Sequence, residues 1–205
     1  MYDIEIKNAT ILDGLGNEPY QGNIYVKDGR IVVITHEDTY DASVSLDASG
    51  KIVTPGFIDL HTHSDISFLL DSTAQSKVRQ GVTLELIGNC GLSLCAPLIG
   101  DARDMFDTWV SDHTDSYNPT WTDYAGYIEA SKKAKATLNI AFQIGHASLR
   151  LAVMGQDDRS PTADELTEMK RLAGESLDAG ALGFSTGLFY APGYYARTDE
   201  VIAIA

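Results

Sequence analysis

The amino-acid sequence predicts an α/β protein in two parts: a small antiparallel β unit over residues 1–55, then a parallel sheet of strand and helix units over residues 56–205. Three observations support this prediction. Apolar and polar residues alternate through the first fifty positions, as in half-buried strands. After Pro55 and Gly56 the chain changes to apolar strands alternating with helical stretches, which is typical of parallel sheets. The 205 residues, 44% of them hydrophobic, can bury a substantial core.

The N-terminal unit is predicted from two alternating stretches, YDIEIKNATI and GNIYVKDGRIVVI. The second contains Asp28-Gly29, which tolerates positive φ and suits a tight hairpin turn. Pro55-Gly56 in GKIVTPGF ends the pattern. We therefore expect the N-terminal part of a β-sandwich-type unit.

The second part is predicted to contain four parallel strands, near Phe57–His63, Val82–Asn89, Leu138–Gly145 and Ala181–Gly187. A helix precedes the last strand, because Thr162 and Glu165 form a capping-box pattern and apolar residues then recur at helical spacing as far as Ala179-Gly180. A shorter helix is expected over Thr73–Gln80, and one or two more within Asp101–Tyr127.

Strand and helix units in this order are typical of the (β/α)8 barrel, which needs eight of them. Four are predicted here, and the final TDEVIAIA begins like another helix. We therefore expect the N-terminal portion of a TIM-like barrel and a truncated chain.

The net charge and the cysteine content indicate which classes of partner and which cellular location to expect. The formal net charge of −14 repels phosphate backbones and anionic membrane surfaces, so neither nucleic acid nor membrane is an expected partner. Two cysteines, Cys90 and Cys95, are too few for a disulfide scaffold, and a cytoplasmic location is expected.

Two histidines, His61 and His63, end the first predicted strand in FIDLHTHSD. Side chains alternate along a strand, so Asp59, His61, His63 and Asp65 are expected on one face. Two imidazoles from one rigid element can bind a divalent metal such as Zn²⁺. The carboxyl end of a parallel strand is also where barrel enzymes hold their active sites.

Cys90 follows the second predicted strand, at the position equivalent to His63. A thiolate there could bind metal, although a lone cysteine is more often a small buried apolar residue. That second interpretation is preferred for Cys95.

Four segments, PGFIDLHTHSD, VTLELIGNCGLS, GHASLR and GALGFSTGLFYAPGYYA, resemble the N-acyl-D-amino-acid deacylase (D-aminoacylase) branch of the metal-dependent amidohydrolase superfamily. The resemblance extends over nearly the whole chain. It implies that His61 and His63 are metal ligands and that Cys90 replaces the carboxylated lysine of other amidohydrolases. It also implies one or two Zn²⁺ ions, with two further histidines and an aspartate on later strands.

The resemblance suggests further site residues. His146, expected at the same rim after the third strand, and Arg150 are assigned a substrate-binding or site-organising role, with a structural role equally open. Tyr190 is the predicted catalytic residue, since its phenol could donate to a developing oxyanion; a packing role is equally open. His36 and His113, in the β unit and in a loop, are not expected to be ligands.

The function implied is zinc-dependent removal of the acyl group from an N-acyl-D-amino acid, giving a carboxylate and a free D-amino acid. The later aspartate would act as general base and general acid. This chain alone is expected to be inactive because it needs the remainder of the barrel, and an oligomer is possible.

Other functions remain open on the sequence. A cyclic amide hydrolase of the same superfamily, a PHP-type metal phosphoesterase and a metal-free barrel scaffold each fit part of the pattern. A metallo-β-lactamase-like site fits less well, because Ile66 stands where those enzymes have a histidine.

Overall fold

The computed structural model describes residues 1–37, 40–111 and 118–205. The chain forms two compact units, Met1–Gly56 and Phe57–Ala205. None of the helices in the described ranges is both long enough and apolar enough to cross a membrane.

The N-terminal unit is one five-stranded sheet. Its strands are β1 (Tyr2–Ile11), β2 (Tyr20–Lys27), β3 (Arg30–Thr35), β4 (Ala42–Asp47) and β5 (Ile52–Val53). The order is β3-β2-β1-β4, with β5 also pairing with β1. Small and branched apolar side chains form its core: Ala9, Ile11, Ile24 and Ala48.

The predicted antiparallel arrangement is correct only for part of this sheet. Strands β1, β2 and β3 form antiparallel hairpin pairs. Strands β4 and β5 pair with β1 in parallel, so the sheet is mixed. The difference arises because the chain after β3 crosses to the other side of β1, and a crossover connection delivers a parallel strand. Alternation in the sequence shows which face a residue occupies but not which neighbour a strand takes.

The second unit contains the predicted parallel sheet. Its strands are β6 (Phe57–Asp59), β7 (Val82–Ile87), β8 (Asn139–Gly145) and β9 (Gly183–Ser185). They lie in the order β6-β7-β8-β9, and each neighbouring pair is parallel. The carboxyl ends of all four strands therefore meet at one edge of the sheet.

Strand β6, the first of the parallel sheet, is shorter than predicted. It stops at Asp59, whose carboxylate accepts a hydrogen bond from the backbone N–H of His61 at 3.2 Å. A side chain that bonds the backbone two residues on forms a turn and competes with continued strand pairing. The histidine pair therefore follows the strand instead of lying on it.

Seven helices are found in the described part of this unit. They are α1 (Ser67–Leu70), α2 (Gln75–Val78), α3 (Asp101–Ser111), α4 (Tyr124–Ala134), α5 (His146–Met154), α6 (Ala163–Asp178) and α7 (Thr198–Ile204). The capping box of α6 forms as predicted, with Thr162 and Glu165 each accepting the other's backbone N–H. Helix α5 was not predicted, because its first turn carries no polar cap to signal a start.

The core of the second unit lies between these helices and the sheet. Ile87 of β7 and Ile144 of β8 are fully buried against aromatic side chains of the helices, including Phe106 and Tyr127. Each fully buried side chain of this size contributes about 1.5–3 kcal/mol relative to exposure. The parallel sheet is thus packed against a well-buried core.

Candidate metal centre

Three potential metal ligands meet at the carboxyl edge of the sheet. The Nε2 atom of His61 lies 3.1 Å from the Sγ atom of Cys90. One nitrogen each of His61 and His63 and this sulfur all lie within 4.8 Å of one another. Nitrogen and sulfur ligands of a tetrahedral Zn²⁺ lie about 3.3–3.6 Å apart. The donor set and its spacing therefore fit one zinc ion after small side-chain adjustments.

The two histidines project from either side of an anchored residue. Thr62 is buried between them. Its backbone N–H donates to the Leu86 carbonyl at 3.3 Å, and its own carbonyl accepts from the Asn89 side-chain amide at 3.2 Å. The backbone of Thr62 is thus bonded to β7 and to the turn after it, and the flanking side chains of His61 and His63 remain exposed. The role of Asn89 was not predicted, because its partner lies 27 residues away.

Cys90 lies in a tight turn after β7. Its φ is 56°, in the left-handed region, and Gly88 and Gly91 have φ of 78° and 75°. A Cβ atom at Gly88 would overlap the Gln143 carbonyl, and one at Gly91 would lie 2.7 Å from the Gly187 backbone nitrogen. Both glycines are therefore required by close backbone packing against the neighbouring strands.

Burial and charge favour the metal-binding form of one histidine. Partial burial lowers the pKa of His63, and the nearby His61 lowers it further. Neutral imidazole is the form that coordinates a metal. His63 is thus available as a ligand near neutral pH.

A lysine on α2 forms ion pairs with two carboxylates next to the histidine pair. The Nζ atom of Lys77 lies 2.7 Å from Oδ2 of Asp59 and 2.9 Å from Oε1 of Glu85. Asp59 accepts from the backbone N–H of His61, and Glu85 accepts from the hydroxyl of Ser64, the residue after His63, at 3.3 Å. The hydrogen bond from Lys77 lowers the pKa of Asp59. We call Lys77, Asp59 and Glu85 the lysine clamp; sequence reasoning missed it because its members carry no shared motif.

Asp65 does not join the ligand group. It is 1% exposed and accepts a hydrogen bond from the Leu94 backbone N–H at 3.2 Å. Burial raises its pKa to about 7. The expectation that Asp65 shares a strand face with the histidines is wrong, because β6 ends at Asp59 and the side chains after it no longer alternate.

His146 and Arg150 form a buried ionic cluster. Both are fully buried, and so is Glu200 of α7 at 4% exposure. Glu200 lies 2.9 Å from Nε2 of His146 and accepts two hydrogen bonds from Nη1 of Arg150, at 2.8 and 2.7 Å. Nη2 of Arg150 donates to the carbonyls of Asp157 and Arg159.

His146 follows β8 directly at the carboxyl edge of the sheet, as expected, but its side chain is buried and not open at that edge. His146 begins α5 and points into the protein, where burial lowers its pKa although Glu200 opposes the shift. Neither His146 nor Arg150 is exposed to a substrate in this structure. Glu200 was not predicted, because it lies 50 residues beyond Arg150 at the start of an ordinary-looking helix.

Tyr190 lies in the segment between β9 and α7. Its side chain is 52% exposed, and its ring contacts that of Phe189 with centroids 5.4 Å apart. The segment begins against the cysteine turn, since a Cβ atom at Gly187 would overlap the Cys90 carbonyl. The phenol is thus accessible and belongs to a segment that touches the turn.

The remaining histidines lie elsewhere. His36 is exposed in the N-terminal unit. His113 lies outside the described residues.

Comparison with known proteins gives consistent matches. The model of the amidohydrolase family matches residues 45–202. The N-acyl-D-glutamate deacylase of Alcaligenes xylosoxydans xylosoxydans is 37% identical over 204 residues, covering 99% of this chain and 41% of the relative.

Two solved structures extend these matches. The crystal structure of N-acyl-D-glutamate deacylase from Bordetella bronchiseptica, complexed with zinc and a phosphonate inhibitor, matches with a TM-score of 0.86 and 37% identity. That of a D-aminoacylase matches with a TM-score of 0.90 and 35% identity. Each covers 100% of this chain, and this chain covers 42% of each. The matches confirm the resemblance seen in the motifs, with the chain spanning about two fifths of the length of these relatives.

Proposed function

This chain belongs to the amidohydrolase family, and from that premise we propose that it forms part of a zinc-dependent hydrolase that removes the acyl group from N-acyl-D-amino acids. One observation carries the proposal: donor atoms of His61, His63 and Cys90 lie within 4.8 Å of one another at the carboxyl edge of a parallel sheet. The similarity to deacylases of N-acyl-D-amino acids supports the substrate class.

The donor set favours zinc over harder cations. Imidazole and thiolate are ligands that zinc prefers, whereas Mg²⁺ and Ca²⁺ take oxygen ligands. When bound, the metal supplies a Lewis acid that polarises the amide carbonyl and lowers the pKa of a water molecule. The zinc in the similar N-acyl-D-glutamate deacylase structure supports this choice.

The chain's own residues have three roles in this proposal. His61, His63 and Cys90 hold the metal. The exposed phenol of Tyr190 donates a hydrogen bond to the oxygen that becomes negative when the amide carbonyl is attacked. The buried cluster of His146, Arg150 and Glu200 organises the site indirectly, by tying the start of α7 to α5.

The parallel sheet also fits a larger architecture. We propose that its four strands belong to an eight-stranded barrel, with the metal site at the carboxyl end, where such barrels carry their active sites. The match to about two fifths of each relative supports this arrangement.

Metal content and substrate turnover test the proposal on the full-length protein. Purified without chelators, it is expected to contain zinc and to release D-amino acid from N-acetyl-D-glutamate, N-acetyl-D-aspartate or a neutral N-acetyl-D-amino acid. The L-enantiomers serve as control substrates. Protein with no bound zinc would favour the metal-free scaffold instead.

A matched pair of cysteine variants locates the metal. Cys90→Ala is expected to lower zinc content and turnover together. Cys95→Ala changes a fully buried cysteine five positions away and is expected to retain both. Equal zinc content in C90A and wild type would contradict the assigned ligand set.

A further inference from the structure

Ser185, the last residue of β9, spans the turn that carries Cys90. Its hydroxyl oxygen accepts a hydrogen bond from the Gly91 backbone N–H at 3.1 Å. The same hydroxyl donates to the Gly88 carbonyl oxygen. One side chain therefore bonds the backbone on both sides of Cys90, from a strand 94 residues away in sequence.

The turn needs such support because of its conformation. A residue with a Cβ atom is disfavoured in the left-handed region because that atom approaches the backbone carbonyl, and Cys90 has a φ of 56°. At the end of the turn, the Gly91 carbonyl accepts hydrogen bonds from the backbone N–H groups of Ala147 and Ser148, at 2.8 and 3.2 Å. These bonds hold the end of the turn, whereas Ser185 links its end to its beginning.

The conformation of this turn decides where the sulfur lies. With the backbone in the left-handed region, Sγ lies 3.1 Å from Nε2 of His61. The two histidines are held separately, through Thr62. The direction of the thiol therefore depends on the turn, and the turn is closed by Ser185.

We propose that Ser185 is a positioning residue, which sets the Cys90 sulfur at the shared metal site by closing the turn from Gly88 to Gly91. The proposal rests on the proposed zinc site and adds a residue that touches neither metal nor substrate. It predicts that the Ser185 hydroxyl contributes to metal affinity, beyond any contribution to folding.

The chain offers a matched control for the loss of one buried hydroxyl. Ser176 is 6% exposed and its hydroxyl donates to the Leu172 carbonyl at 2.7 Å, within α6. Ser176→Ala removes a similar hydrogen bond without touching the cysteine turn. A general effect of lost stability would therefore act on both variants.

The experiment measures Co²⁺ binding to the metal-stripped, full-length protein. Cobalt bound to a thiolate gives a sulfur-to-metal absorption band in the near ultraviolet, so one titration reports both affinity and the cysteine ligand. Ser185→Ala is expected to weaken binding by about 10-fold or more, the usual effect of removing a residue that supports a metal ligand, and to weaken the band. S176A is expected to match wild type, and Ser185→Thr, which keeps a hydroxyl, to restore most of the affinity.

Several results would overturn the proposal. S185A could bind Co²⁺ with wild-type affinity and an unchanged band, or S185A and S176A could lose affinity equally. If S185A does not fold, S185T and Ser185→Val, which have the same shape, are compared; equal affinities of these two would be just as decisive.

Failure of the zinc site itself gives a different result. If wild type shows no thiolate band, or if C90A leaves the band unchanged, the proposed ligand set is wrong and the role of Ser185 falls with it. A thiolate band that is present in wild type and lost in C90A, with unchanged affinity and an unchanged band in S185A, overturns only the role of Ser185.

Discussion

Two cysteines five residues apart show how far the environment decides the chemistry of a residue. Cys95 is fully buried, and burial raises the pKa of its thiol, so it remains a neutral apolar side chain. Cys90 is partly exposed and its sulfur lies 3.1 Å from a histidine nitrogen. Only Cys90 is therefore accessible to a cation, although both side chains are chemically the same.

At the residue scale, His146 provides a prediction about pH. Burial holds its pKa in the folded protein below the ordinary 6.5, against the opposing effect of Glu200 and together with the charge of Arg150. The unfolded chain therefore binds more protons as the pH falls below about 6.5, so this contribution to stability is present above that pH and is lost below it. The loss cannot exceed about 1.4 kcal/mol per pH unit.

The measurement is the free energy of unfolding in urea from pH 8 to pH 5 for wild type and His146→Asn. Wild type is expected to lose more stability than H146N on acidification. His36→Asn changes an exposed histidine of the N-terminal unit and is the control. Identical slopes in wild type and H146N would show that His146 does not titrate in this way.

At the scale of elements, a helix of four residues supports the segment that carries the histidine pair. Helix α2 contributes Lys77, which joins carboxylates of the neighbouring strands β6 and β7. These carboxylates accept hydrogen bonds from the His61 backbone N–H and from the Ser64 hydroxyl after His63. The lysine clamp therefore connects helix packing to the geometry of the histidine pair.

Removing the charge of Lys77 is expected to lower the free energy of unfolding, because the buried carboxylate of Glu85 loses its partner. Lys77→Met leaves Glu85, whose side chain is 2% exposed, without its cation, and is expected to destabilise the protein by about 1–3 kcal/mol. The free energy of unfolding in urea measures the effect. Lys132→Met removes an exposed lysine that pairs with Glu129 on the surface, and no measurable change is expected.

A second substitution tests the stated cause. Glu85→Gln removes the buried charge, so adding it to K77M should recover part of the lost stability. If K77M/E85Q is no more stable than K77M, the cost does not come from the unpaired Glu85 carboxylate.

At the scale of the whole molecule, the proposed function lies in one of two compact units. The three potential ligands and both tryptophans, Trp109 and Trp121, belong to the unit Phe57–Ala205. The N-terminal unit contains tyrosines but no tryptophan. In this 205-residue chain, tryptophan fluorescence therefore follows the unfolding of the unit that contains the candidate site.

Zinc is expected to stabilise that unit. A ligand that binds only the folded state adds about 2.7 kcal/mol at one hundred times its dissociation constant. The tryptophan transition in urea should move to higher denaturant concentration when zinc is added to metal-stripped wild type. His61→Ala should reduce the shift, and an equal shift in wild type and H61A would contradict ligation by His61.

The sequence by itself determined the class of the fold, the family and the residues proposed as metal ligands. The parallel strands followed from short apolar runs between helical patterns, and the α6 helix from its capping box, because these signals are local and the residues that cause them are neighbours. The motifs around His61, His63 and Cys90 were sufficient to identify the family, since that resemblance depends on residue types in order.

Only the tertiary structure decided how the site is held. The parallel pairing of β4, the burial of His146 against Glu200, the lysine clamp and the hydrogen bonds of Ser185 all join residues that are far apart in sequence. Such contacts depend on where whole elements pack, and no local pattern encodes a partner 50 or 94 residues away. Local sequence patterns therefore indicate which residues are candidate ligands, and long-range packing specifies their geometry.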